Sequence, residues 1–423
     1  MTDQRLTNPG SPWLKLAILL TALVFLEFLA RGPFLAMQER GSDMTTPYVA
    51  AVRLLHHQDP YSPFGVLKEM ENRGIVPSMG LDDSALRPIY PPIALTLFLP
   101  LALFQWTVAR ALYVLLCAAA YTFLAARFAT LIGTDWRSLR RWFFLAFVFG
   151  LAPMQTAIRL ANPSAIACIL FLLSLLLAYE KNDIGAALSL ALCLCMKPTI
   201  GPPAILFFLL CKRWRLLAFC GGFIAAVGVI TLLFMAPIDR GWLLNFRENT
   251  NFLFSREGAA SFFGPYSACI NLQMPFFAIF RNEHVANILA WISASLITVW
   301  WILAFRRSSK LNPQWNWPLV AAISLIGLLP VYQRNYNAGI VLLALLFVFQ
   351  RLELRESKAI LFLAVVFLLP IRSILFMKVA SHLTHAFIAS AVWQAGFLCL
   401  DSWALVAIVI LTIRAASQRT LNA

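Results

Sequence analysis

The chain has 423 residues, 61% of them hydrophobic and only 13% charged, and Lys plus Arg exceed Asp plus Glu by 34 to 19. A soluble domain carries about 25% charged residues, so this composition excludes most soluble folds and indicates a polytopic membrane protein. The formal +15 is spread in small clusters between apolar runs, unlike the dense exposed patch of a nucleic-acid binder, so no nucleic-acid partner is expected.

Apolar runs that cross, or nearly cross, about 30 Å of hydrocarbon lie at 14–36, 107–130, 142–161, 163–179, 184–197, 199–211, 216–237, 285–305, 318–332, 338–350, 359–377 and 397–413. They predict an all-α fold, a single integral membrane domain over 1–423 with about twelve transmembrane helices. Basic connections recur after every second run: Arg137, Arg140 and Arg141; Lys212, Arg213 and Arg215; Arg306, Arg307 and Lys310; Arg351, Arg355 and Lys358; Arg414 and Arg419. By the positive-inside rule these loops and both termini are cytoplasmic. The first run lacks a small-residue cleavage site and is expected to stay as an anchor.

The segment 91–104 is apolar but has only 14 residues and contains Pro100. A full crossing there would reverse the charge map, so it is expected to be re-entrant or a broken first half of the next helix. The runs 184–197 and 199–211 are split by KPTIGPP, a broken corner of the kind tolerated only inside protein or beside a wet cavity. Two outer (periplasmic) loops, 38–90 and 238–284, exceed ordinary connections, and loops of that length are commonly functional or disordered. The second holds Trp242, Phe252, Phe254, Phe262 and Phe263, which predicts short amphipathic helices at the membrane surface.

Seven of the eight cysteines lie in or beside apolar runs and only Cys269 lies in a polar loop, so neither a disulfide framework nor a metal site is indicated. Lys197, Arg159 and Arg334 fall at outer helix junctions; each is either a helix-end anchor or part of a site for an anion such as phosphate. Glu27 and Arg31 are one turn apart and read as a structural pair. Asp401 and Arg372 either pair between helices or lie near water. Among the acids of the first loop, Glu39, Asp43, Asp59, Glu69, Glu71, Asp82 and Asp83, the one that stands out is Asp43. It follows the first crossing closely and precedes an apolar-periodic helix beginning near Tyr48. A carboxylate there, beside cations that hold a lipid phosphate, suits sugar transfer from a lipid-phosphate donor.

Several segments, SDMTTPYVAAVRLLHHQDPYSP (42–63), IYPPIALTLFLPLALF (89–104), ANPSAIACILFLLSLLLA (161–178), CMKPTIGPPAILFFLLCKRWRLL (195–217), INLQ (270–273) and LLPVYQRNYNAGIVLLAL (328–345), together resemble glycosyltransferase family 87. That family has the GT-C fold and comprises polyprenyl-phosphate-mannose-dependent α-mannosyltransferases. The resemblance implies a GT-C type enzyme of the bacterial inner membrane with an outward-facing active site. It implies a polyprenyl-phosphate sugar as donor substrate, a lipid-linked or glycan acceptor, and no further cofactor. Asp43 matches the acid taken as catalytic base. Lys197 matches the Lys-Pro-Thr motif, and Arg334 with Tyr336 matches His-Arg-x-Tyr-Asp. Gln333 stands for the usual His, Asn337 for the usual Asp, and Asn162 where a Gly-Gln pair is common.

The expected site therefore has Asp43 as base, Lys197, Arg334 and Arg159 on the donor phosphate, and Tyr336, Asn162, Asn271, Gln273 and Tyr48 on the substrates. Direct displacement would invert the anomeric configuration once. A transporter or flippase of lipid-linked saccharides would also use outer cations, but needs an inner route that the short cytoplasmic loops hardly provide. A polymerase or ligase of such saccharides would leave Asp43 without a role.

Overall fold

The computed structural model describes residues 11–38, 42–75, 87–133, 135–255, 258, 260–262, 269–311, 315–369 and 374–418. The fold is all-helical; among the described residues the only β-type pairing is an isolated bridge between Cys269 and Arg334. Glu39, Asp82, Asp83, Phe263 and Arg372 lie outside the described residues.

About twelve crossings are expected, and among the described residues the apolar helices sort by length. Five helices are long and apolar enough to span a membrane: Pro12–Gln38, Trp106–Thr130, Trp214–Met235, Glu283–Ser308 and Leu400–Ser417. A sixth is counted if Leu139–Gly150 and Ala152–Arg159, bent by 46°, form one span. The other runs are broken by their own sequence. Pro163–Tyr179, Asp183–Met196, Trp317–Ile326 and Asn335–Gln350 are shorter apolar helices. The run at 199–211 contracts to Pro202–Leu210, and that at 359–377 leaves its α-helix, Arg355–Ala364, for a 3-10 turn at Val365–Phe367. Proline and asparagine caps divide the apolar sequence here into pieces shorter than a bilayer. The segment 91–104 forms the 11-residue helix Pro92–Ala102, separate from Trp106–Thr130 and too short to cross by itself.

The helix starts follow capping chemistry. Asn162 caps Pro163–Tyr179, Asn182 caps Asp183–Met196, Ser62 caps Pro63–Asn72 and Asn316 caps Trp317–Ile326, each through a side-chain oxygen that accepts from a first-turn amide. Proline enters the first turn of three of these, where no amide partner is lost. The 46° bend has a cause of the same kind. Pro153 has no amide to give the Phe149 carbonyl, and the Gln155 side chain donates to that oxygen instead, at 2.9 Å.

The chain divides into two compact units. One comprises residues 29–121 and 156–267. In it the helix Thr45–Leu55 packs on Pro92–Ala102, while Asp183–Met196 packs between Pro163–Tyr179 and Trp214–Met235. A cluster of Ala50, Leu54, Tyr61, Leu95, Leu99, Met235 and Ile238 forms part of its core. Apolar side chains of Trp214–Met235, such as Leu232 and Leu233, are exposed, as a lipid-facing helix requires.

The other unit comprises residues 1–28, 122–155 and 268–423. Trp317–Ile326 and Leu342–Gln350 are its most enclosed helices, packed with Arg355–Ala364 and Leu400–Gln418. The Trp301 indole donates to the Leu319 carbonyl at 2.8 Å, tying Glu283–Leu311 to Trp317–Ile326. One face of Glu283–Leu311 exposes Ile288, Trp291, Ile292, Leu296 and Val299.

The segment 238–284 contains two short helices, Gly241–Leu253 and Gln273–Phe280.

Candidate active site

In the unit 29–121 plus 156–267 the acid and a cation meet at one helix start. Ala161 has φ of 46°, a left-handed residue that turns the chain sharply after Ala152–Arg159 and before the next cap. The turn lets the Leu160 carbonyl accept from the Asp43 backbone amide at 2.8 Å. The Asn162 side-chain amide donates to Asp43 Oδ2 at 2.5 Å. Among the described residues no hydrogen bond is made to Asp43 Oδ1, and Asp43 is half-buried.

Asn162 is a hub rather than an open sugar contact. Its Oδ1 accepts from the Ser164 amide at 2.8 Å as the cap, and its carbonyl accepts from the hydroxyl of Tyr113 at 2.8 Å. Only 2% of its surface is exposed. Every one of these bonds fixes the rotamer that reaches Asp43.

Lys197 lies at the end of Asp183–Met196, where Pro198 stops the helix. Its ammonium donates to the Ser164 hydroxyl at 2.5 Å. The three-residue stretch Asn162, Pro163 and Ser164 thus contacts the acid at one end and the lysine at the other. Ser164 escaped the sequence reading; the signal was in NPSA, where a Ser two positions after the cap sits beside the cap side chain. Arg159, three residues before Asn162, is exposed at the end of its helix.

Tyr48 is fully buried, donates its hydroxyl to the Phe104 carbonyl at 2.7 Å and accepts from Arg73 at 3.0 Å. Burial raises its phenol above the ordinary value, while the Arg73 charge and hydrogen bond act the other way. Arg73 also pairs with Glu69 at 2.6 Å. Asp59, Tyr61 and Tyr90, from the segments 42–63 and 89–104, brace this region. Asp59 accepts from the Tyr61 amide at 2.8 Å and from Asn245 at 2.5 Å, and the Tyr61 hydroxyl donates to the Tyr90 carbonyl at 2.8 Å. Asn249 donates to the carbonyls of Tyr61 and Pro88. These contacts hold the helix Gly241–Leu253 by its Asn245 and Asn249 face.

The other candidates lie in the second unit. Arg334 is half-buried with its guanidinium carbon 5.6 Å from the Tyr336 ring centre. Its backbone is held by the bridge to Cys269 and by the Asn337 amide, which donates to its carbonyl at 2.9 Å. Gln333 and Asn337, two of the three departures from the family pattern, are both fully buried and bond to each other, Asn337 donating to the Gln333 side-chain oxygen. Asn271 donates to the Val331 carbonyl at 3.1 Å and to Gln273 at 2.7 Å, and Gln273 donates to Asn287 at 2.6 Å. Asn271 thus helps fasten the stretch 269–272 to the stretch carrying Arg334, and Gln273 ties it to Asn287 of Glu283–Leu311.

No curated protein and no solved structure matches the chain. Residues 89–268 match the model of glycosyltransferase family 87, the family that the motifs resemble; that match, with helices long and apolar enough to cross a bilayer, identifies a membrane glycosyltransferase.

Proposed function

We propose that the enzyme moves a hexose, mannose, from a polyprenyl-phosphate donor to a hydroxyl of a lipid-linked or glycan acceptor, on the outer face of a bacterial inner membrane. Asp43 Oδ1 takes the proton from the acceptor hydroxyl as its oxygen bonds to the anomeric carbon. The bond from that carbon to the phosphate oxygen breaks, and polyprenyl phosphate leaves with the electron pair. The Lys197 ammonium stabilises the charge that develops on the phosphate. Because the acceptor enters opposite the leaving group, the configuration inverts.

The observation that carries this reading is the connection of Asp43 to Lys197 through Asn162 and Ser164. An acid for the nucleophile and a cation for the leaving group are what displacement at a sugar phosphate needs, and both hang on one capped helix start. Arg159 and Arg334 are proposed as further donor-phosphate cations. Tyr336 is proposed to contact the sugar, while Asn162, Asn271, Gln273 and Tyr48 act by holding other groups.

The purified protein is offered labelled mannose on polyprenyl phosphate or on a nucleotide. Transfer from the lipid donor alone is expected; transfer from the nucleotide sugar, or none from any lipid-phosphate sugar, contradicts the proposal.

A further inference from the structure

Arg110 lies inside the membrane-spanning helix Trp106–Thr130, yet only 8% of its surface is exposed. A charged side chain in such a segment is costly unless it is held by polar groups and has work to do. Its Nη2 donates to the Met37 carbonyl at 3.1 Å. Met37 is in the last turn of the helix Pro12–Gln38, where carbonyls lack helical partners and the helix dipole favours a cation. The guanidinium carbon also lies 5.7 Å from the centre of the Trp106 ring, one turn earlier on the same helix. The Trp106 ring packs on Tyr48 with centroids 5.1 Å apart, and the Tyr48 hydroxyl donates to the Phe104 carbonyl.

Asp43 lies in sequence between Met37 and Tyr48. The residue before it in this segment's anchoring is held by Arg110, and the residue after it by Trp106 and Phe104. We infer that Arg110 is a positioning residue: with Trp106 it clamps both ends of the segment that carries Asp43, so that the acid is presented to the acceptor without itself touching substrate. Arginine suits the task because its guanidinium is weakly hydrated and can donate to a carbonyl while packing on an indole. The inference rests on the reading of Asp43 as base, but the clamp itself is measured without substrate.

The test uses the full chain with Arg110→Met, which keeps the apolar stem, and Arg110→Lys, which keeps one charged donor. Limited trypsin digestion of the full chain is followed in the absence of donor, and kcat and donor KM are measured beside Lys197→Ala. Arg110→Met is expected to be cut several-fold faster than the parent, with kcat lowered about tenfold and donor KM within about twofold. Arg110→Lys is expected to recover part of both. If Arg110→Met does not fold, Arg110→Lys decides by the same measurements. Parental cleavage and kcat overturn the clamp. A donor KM raised as far as in Lys197→Ala, with kcat kept, overturns it by making Arg110 a donor ligand. If cleavage quickens while neither parent nor variant transfers sugar, the clamp stands and the reading of Asp43 falls.

Discussion

Asn162 and Asp43 are 119 positions apart in the chain, and the amide of the first donates to the carboxylate of the second at 2.5 Å. The same asparagine caps the helix that follows it, so one side chain serves the fold with its oxygen and the acid with its nitrogen.

These two services can be separated. Asn162→Ser keeps a capping oxygen but cannot reach Asp43, whereas Asn162→Ala loses both. A hydrogen bond to a charged group contributes about 1.5–3 kcal/mol, so Asn162→Ser is expected to lower kcat about ten- to hundredfold with thermal stability near the parent. Asn162→Ala should in addition lose about 1 kcal/mol of stability. Parental kcat in Asn162→Ser would show that the bond does not orient the acid.

Ser164 accepts from Lys197 and so sets where the ammonium sits. Ser164→Ala is expected to raise donor KM about three- to tenfold, the loss of roughly one hydrogen bond, and to lower kcat too, because the same ammonium faces the charge that develops on the leaving phosphate. Lys197→Ala should raise donor KM further. Kinetics with the lipid donor as the varied substrate decide this; an effect of Ser164→Ala on kcat alone would contradict it.

Tyr61 is a structural residue by its contacts, and its variants should show that in stability rather than rate. Tyr61→Phe is expected to cost about 1 kcal/mol in thermal unfolding without changing kcat. Burial holds the Tyr61 phenol above its ordinary value of 10.0. The folded state therefore keeps the proton longer than the unfolded state, and this stability is complete below about pH 10 and lost as pH rises above it. The parent should lose more stability than Tyr61→Phe in that alkaline range; equal losses would contradict the assignment.

Gln333 and Asn337 are fully buried partners. Truncating either takes this bond from the other's buried amide, at about 1–3 kcal/mol, whereas truncating both loses the same bond only once. Thermal unfolding of Gln333→Leu, Asn337→Leu and the double variant is expected to show the double variant less destabilised than the two single losses added together. Additive losses would mean that the two amides act independently.

Much of this arrangement was legible in the sequence, and the reasons are local. Asn162-Pro163, Ser62-Pro63 and the break at Lys197-Pro198 are helix starts and stops written in neighbouring residues. Asp43 and Lys197 drew notice because charge beside an apolar run needs an explanation. The breaks inside the apolar runs were less legible, because hydropathy registers apolarity and not continuity; Pro153 divides one run, and the Arg355–Ala364 helix gives way to a 3-10 turn. Partnerships were not legible at all. That Asn162 holds Asp43, that Ser164 meets Lys197, or that Gln333 and Asn337 accommodate each other depends on approach between residues whose spacing carries no period.

The central claim is that Asp43 is the base of a single displacement, and turnover by Asp43→Asn tests it most directly. Asparagine keeps the size of the side chain but cannot accept the acceptor's proton. With labelled mannosyl polyprenyl phosphate and a fixed acceptor, kcat is expected to fall by about a hundredfold or more while donor KM and the thermal midpoint stay near those of the parent, and the parent's product should carry the inverted configuration. Turnover by Asp43→Asn at the parental rate, or a product of retained configuration, would contradict the account.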